Sequence, residues 1–362
     1  MFATTQEKTG MYYDMSARLV VYAPDALGED SAKTAEGVLR YASNPVVAVI
    51  DKSKAGKSLK EVTGINCDAP IVGSIDEALA FKPDALLLGT AWSGGALPEH
   101  WKPDLLKAIE AGLDVVNGLH DFLADDKQLS EAAARKGVTL IDVRRPPERL
   151  PVGTTAAINV PAYVVLTVGS DCSVGKMTTT LEIAKVAKQR NKKAGFVATG
   201  QTGIMICGTG IAIDRVIGDF MSGAVEQLVV DAARDNDYVL VEGQGSIVHP
   251  SFSGVTLSLM HGACPQGLIL CHNASRTQIK GLEPIDLLPL KELISIYERM
   301  CSYLRPAKVL GLAFNTYGMS DSDAEKAVAD AEKLTGLPAC DPVRHGAAKL
   351  FDAIEKHKES VK

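Results

Sequence analysis

Short apolar runs alternate with helical spacings along most of the chain. RLVVYA (18–23) is rich in β-branched residues, and Ala35, Val38, Leu39 and Ala42 then share one side of a helix over 30–42. The order repeats with PVVAVID (45–51), a short IVG segment, a helix near 75–81, DALLLGT (84–90), a helix at 103–112, DVVNG (114–118), a helix at 121–136 and VTLIDVR (138–144). Continuous apolar strands separated by helices predict a parallel sheet covered on both faces. The first half is therefore expected to be a Rossmann-like domain of about five strands.

Residues 145–161 break this rhythm with four prolines, which cannot donate into a central sheet. A domain boundary is placed here, giving domains at 1–150 and 151–362. A second α/β series follows, with strands at 162–168, 194–199, 237–243, 267–271 and 308–316. Its helices are expected near 178–190, 215–234, 286–300, 322–335 and 345–358. Internal repeats and low-complexity tracts are not evident.

Composition narrows the class. A length of 362 residues suits two domains, and 46% hydrophobic with 23% charged residues excludes disorder, collagen-like repeats and a coiled coil. The net charge of −6 argues against non-specific nucleic-acid binding, which needs a basic face. The seven cysteines are scattered without a CxxC pair and read as reduced thiols. The N-terminus lacks an apolar signal core, and no stretch approaches the roughly 20 apolar residues of a membrane span. A cytoplasmic protein with no membrane partner is expected.

The strongest chemical signal is VLTVGSDCSVGKMTTTLEIAKVAK. An apolar strand runs to Val168, the loop Gly169-Ser170-Asp171-Cys172-Ser173-Val174-Gly175-Lys176 follows, and an amphipathic helix begins at Met177. Helix N-terminal N–H groups and the helix dipole favour an anion, Gly175 lets the backbone come close, and Lys176 supplies a point charge. Two positions depart from the GxxxxGK[ST] pattern. Ser170 stands for a glycine, and Met177 separates Lys176 from the hydroxyl of Thr178, which puts the usual metal contact in doubt. Thr178 or Thr179 could replace it, or no metal is needed, and none is assigned.

About 65 residues on, DYVLVEGQGSIVHP ends a strand on Glu242, a candidate general base or metal carboxylate, with Gly243 and Gly245 opening the backbone around it. Gln244 and Ser246 are placed with the substrate, and His249 is a candidate acid/base or carboxylate donor; Ser246 as a turn residue and His249 packed beside Pro250 stay open. The stretch TGQTGIMICGTGIAIDR reads as a glycine-rich loop lining the site. Gln201 and Thr202 would hydrogen-bond a ligand, and Arg215 would pair with a carboxylate or a phosphate. Asp214 would bind an amine or metal, or cap a helix.

Weaker signals complete the set. His261, Cys264, Cys271 and His272 have spacings that do not suit structural zinc, and buried thiols are the plainer reading. Cys172, at a helix N-terminus, is expected to favour thiolate and could carry an acyl group. In the first domain, Trp92 and His120 follow strands and either touch substrate or cover the sheet edge. Arg144 and Arg145 lie at the domain junction and could clamp an anion or stay solvated.

GSDCSVGKMT resembles the G-T-D-x-x-V-G-K-T loop of dethiobiotin synthetase-like P-loop proteins, and VEGQGS resembles their VEGAGG. Taken with GQTGIMICGTGIAIDR, VEGQGSIVHP and the two-domain order, the chain resembles a P-loop family long of unknown function, typified by bacterial D-glutamate N-acetyltransferases. That resemblance covers nearly the whole chain. It implies a Rossmann-like domain followed by a P-loop NTPase-like domain, and acetyl transfer from acetyl-CoA to the amino group of D-glutamate. The loop Gly169–Thr178 would hold the CoA phosphates, Glu242 or Asp171 would take the proton, and Arg215 or Arg144 would hold the glutamate. A homo-oligomer is expected. The alternatives are a Mg-ATP-dependent ligase or kinase of dethiobiotin synthetase type and a non-catalytic nucleotide-binding regulator.

Overall fold

The computed structural model describes residues 12–91 and 94–361, so Trp92 lies outside the described residues. Within them the chain forms two compact units: the first runs to Pro146 and takes back Gly200–Arg215, and the second comprises Pro147–Thr199 and Val216 onward.

The first unit carries β1 (Leu19–Tyr22), β2 (Val46–Ile50), β3 (Ile71–Val72), β4 (Ala85–Leu88), β5 (Asp114–Asn117) and β6 (Leu140–Asp142). All pairs are parallel, in the order β3-β2-β1-β4-β5-β6. That is a six-stranded Rossmann-like sheet, one strand more than the expected five, because the short IVG segment also pairs, as two-residue β3. One face buries Val20, Tyr22, Leu86, Leu88, Leu105 and Ile109 in a continuous apolar core.

The second unit holds β7 (Tyr163–Gly169), β8 (Ala194–Val197), β9 (Tyr238–Val241), β10 (Gly267–Asn273), β11 (Lys308–Asn315) and β12 (Ala339–Cys340). These pair in parallel in the order β12-β11-β10-β7-β9-β8. Every residue of β7 is buried, as a central strand covered on both faces requires. The chain leaves β7 toward β9 and β8 on one side and later returns to β10 on the other. The C-terminal end of β7 is thus the point where strand order reverses, the place where open α/β sheets bind ligands.

Two helices add to those expected, one in a stretch with no expected element and one in place of the expected glycine-rich loop. Ser253–Ala263 is a helix whose glycines disguise it. At Gly262 a Cβ would fall 2.3 Å from the Ser222 carbonyl oxygen, so the close crossing with helix Gly218–Ala232 needs the missing side chain. Gln201–Cys207 is likewise a helix, ended by Gly208 in the left-handed region at φ 76. Among the described residues no helix is long and apolar enough to cross a membrane.

Candidate functional site

The loop between β7 and the helix Lys176–Gln189 is shaped by its backbone. Ser173 (φ 53) and Gly175 (φ 97) turn it through the left-handed region. Val174 is driven into the apolar core and pins the loop from below. A Cβ on Gly169 would meet the Asp171 carbonyl oxygen at 2.7 Å and Lys176 Nζ at 2.8 Å, so only glycine lets the lysine fold back over the strand end. Lys176 is 7% exposed, and its ammonium donates to the Asp171 carbonyl at 2.9 Å. Burial pulls that ammonium below its ordinary pKa, against the opposing pull of Cys271, Cys172 and Asp171.

The hydroxyls after the lysine face inward. Thr180 Oγ1 donates to the Lys176 carbonyl at 2.9 Å and meets Thr167 Oγ1 at 3.0 Å, while Thr179 Oγ1 lies 3.5 Å from the Cys271 thiol. Met177 and Thr178 are half-buried.

Asp171 is fully buried and braces the loop. Its Oδ1 accepts the Cys172 N–H at 2.7 Å, and its Oδ2 accepts Arg276 Nη1 and the Lys280 N–H, both at 2.8 Å. Arg276 also donates to the Cys172 carbonyl at 2.7 Å. Asp171, Cys172 and His249 each bring a ligand-type atom within 4.8 Å of the others. His249 is 3% exposed; its Nδ1 accepts the Ser251 N–H at 3.2 Å, which leaves Nε2 as the donor nitrogen of the ring. That buried Nε2 has no hydrogen-bond partner among the described residues. With Arg276 on the carboxylate and a proton on Nε2, the trio suits an anion better than a cation. Burial, with Asp171 beside it, pushes the Cys172 thiol up, opposite to the thiolate expected at a helix N-terminus.

Glu242 follows β9, the neighbour of β7, and is buried. Its Oε2 accepts the Thr199 N–H at 3.0 Å, and the Thr199 hydroxyl donates to the Glu242 carbonyl at 2.7 Å and meets Gln244 Nε2 at 3.3 Å. Ser246 is buried in the same loop, and Gln244 is held through its carbonyl by Thr256 Oγ1 at 2.7 Å.

The other predicted residues lie in the first unit. Thr202 Oγ1 meets Thr34 Oγ1 at 2.8 Å, and Gln201 packs over Gly118, its Cγ 3.0 Å from where a Cβ would stand. Arg144 is buried, donates to the Gly118 carbonyl at 2.7 Å and pairs with Asp214, so its guanidinium braces Asp214. Arg215 and Arg145 lie over the Phe122 ring at 4.9 and 4.1 Å. The segment 200–215 is therefore not the loop of the second series that its glycines suggest.

The weak zinc set dissolves. His261 Nε2 faces the Met300 carbonyl at 3.4 Å, and Cys271 lies in the apolar core. His272 Nδ1 meets the Ser170 hydroxyl at 2.9 Å, beneath the phosphate loop. Burial, then Arg276, pulls the His272 ring down to about 4, so it is neutral at pH 7.

Arg276, Tyr297 and Thr199 escape the sequence reading. Tyr297 is wholly buried; its hydroxyl donates to the Gly169 carbonyl at 2.6 Å and accepts the Ile247 N–H at 3.0 Å, tying the phosphate loop to the loop after β9. Burial pushes its phenol up to about 12, so it stays protonated and able to donate.

A Rossmann-like unit joined to a P-loop unit with this cradle defines a two-domain class. The chain belongs to the DUF1611 family: residues 151–351 match its P-loop domain and residues 52–146 its Rossmann-like domain, both described as domains of unknown function. A crystal structure of a DUF1611 family protein from Anabaena variabilis superposes with a TM-score of 0.90 at 40% identity, covering 94% of this chain and 99% of that one. Two relatives carry the name D-glutamate N-acetyltransferase. That from Tritonibacter scottomollicae is 38% identical over 92% of this chain and 96% of its own length. That from a Pseudoalteromonas species is 37% identical over 76% of this chain and 83% of its own.

Proposed function

We propose that this chain transfers an acetyl group from acetyl-CoA to the amino group of D-glutamate, with the loop Gly169–Lys176 holding the CoA phosphates. The observation that carries the reading is the likeness to a relative of that name over 92% of the chain. The cradle supports it. Lys176 is a buried cation at the start of a helix and suits a diphosphate, and Met177 stands where a P-loop places its metal-binding hydroxyl, while Thr179 and Thr180 are turned to Cys271 and to the Lys176 carbonyl.

Chemistry then separates holding from reacting. In CoA the thioester lies a full pantetheine arm from the diphosphate. Groups beside the phosphate loop therefore hold the donor, and the acceptor amine loses its proton elsewhere. Under this reading Asp171, Glu242 and His249 serve the cradle. Glu242→Gln keeps an oxygen for the Thr199 N–H and is expected to leave kcat close to wild type. A general base at that position would instead lose about 10²- to 10⁴-fold in steady-state turnover.

The reading is tested by incubating the protein with acetyl-CoA and a panel of D- and L-amino acids while following thiol release, with ADP formation from Mg-ATP measured in parallel. Thiol release that depends on D-glutamate is the expected result. Mg-dependent ADP formation without thiol release would assign a ligase or kinase instead.

A further inference from the structure

We propose that Tyr317 is the stacking platform for the purine of the nucleotide whose phosphates the loop Gly169–Lys176 holds. Tyr317 is 88% exposed, more than any other large apolar side chain of the described residues. It follows β11, which joins β7 through β10, so its turn rises from the same C-terminal edge of the sheet as the phosphate loop. The turn starts at the loop itself: a Cβ built on Gly175 lies 4.0 Å from the Asn315 side chain.

The turn is also braced. Asn315 Oδ1 accepts the Tyr317 N–H at 3.0 Å. Asp341 Oδ2 takes the Thr316 N–H at 3.1 Å and its hydroxyl at 2.5 Å. Arg344 Nη2 donates to the Thr316 and Met319 carbonyls at 3.3 and 2.6 Å. A buried carboxylate and an arginine thus fix the backbone on either side of a ring left in water. Preorganisation of this kind lowers the ordering cost of binding a flat partner. An anion cradle and an exposed ring carried on a braced turn, both on one sheet edge, match a ligand with a diphosphate at one end and a purine at the other. The identity of that ligand as CoA rests on the function proposed above; the stacking does not.

Two measurements test it. The first is binding of the fluorescent etheno-adenine analogue of CoA. Tyr317→Ala should weaken it about 10-fold, in the range of one base stacked on one aromatic ring, and Tyr317→Trp should restore it. The second compares donors. Tyr317→Ala should raise KM about 10-fold for acetyl-CoA, with kcat unchanged, and leave KM for S-acetyl-4′-phosphopantetheine, which has no purine, at the wild-type value. Equal affinity of wild type and Tyr317→Ala for the etheno analogue overturns the platform alone, as does an equal KM change for both donors. If the analogue binds and responds to Tyr317 while neither donor is turned over, the platform stands and the acetyl-transfer reading falls. If the analogue does not bind the wild type, both fall.

Discussion

Lys176→Ala is expected to weaken acetyl-CoA about 10- to 100-fold, the weight of one charge-assisted hydrogen bond, and to place the loss in KM. The same change should not lower stability. The Lys176 ammonium is buried, and burial already pulls its pKa down, so the folded protein holds this charge at a cost. Alanine removes the charge together with its need for a partner. Steady-state kinetics against acetyl-CoA, with thermal unfolding of the same preparation, checks both halves. A large loss of stability would mean that the lysine is a structural brace; an unchanged KM would detach it from the donor.

Gly243→Ala should act on the scaffold. A Cβ there would stand 1.7 Å from the Thr167 carbonyl oxygen on β7 and 3.1 Å from Lys176 Cδ. The Gly243 N–H also donates to Thr167 Oγ1 at 3.0 Å, so the loop cannot simply lift away. Overpacking a site this tight costs about 3 kcal/mol or more, readable by urea denaturation, and should disturb the lysine with it. Gly218→Ala is the control, since nothing lies within 4 Å of its Cβ position. Equal stability of the two variants would contradict the tight seam between β7 and the loop after β9.

The phosphate loop was legible because its parts are contiguous: an apolar strand, a glycine-bounded turn, a lysine and a helix, each readable from its neighbours. Arg276 was not, because its partner Asp171 lies 105 residues away and only the order β10-β7 brings the two together. Tyr297 looks like any apolar helix residue until its hydroxyl is found 128 residues off, on the Gly169 carbonyl. In the sequence His272 stands with cysteines as a weak metal set, yet parallel pairing of β10 with β7 sets it beside Ser170. The segment 200–215 departs from its sequence pattern for a different reason. Its glycines look like loop punctuation, whereas Gly200 and Gly208 bracket a helix, and the chain leaves one unit there to complete the other.

Amide hydrogen exchange across residues 169–177, with and without saturating CoA, tests the central claim most directly. If this loop grips the CoA phosphates through its backbone N–H groups, exchange there slows with CoA and does not slow with D-glutamate alone. Unchanged exchange across the loop, with protection by CoA appearing elsewhere in the chain, would contradict it.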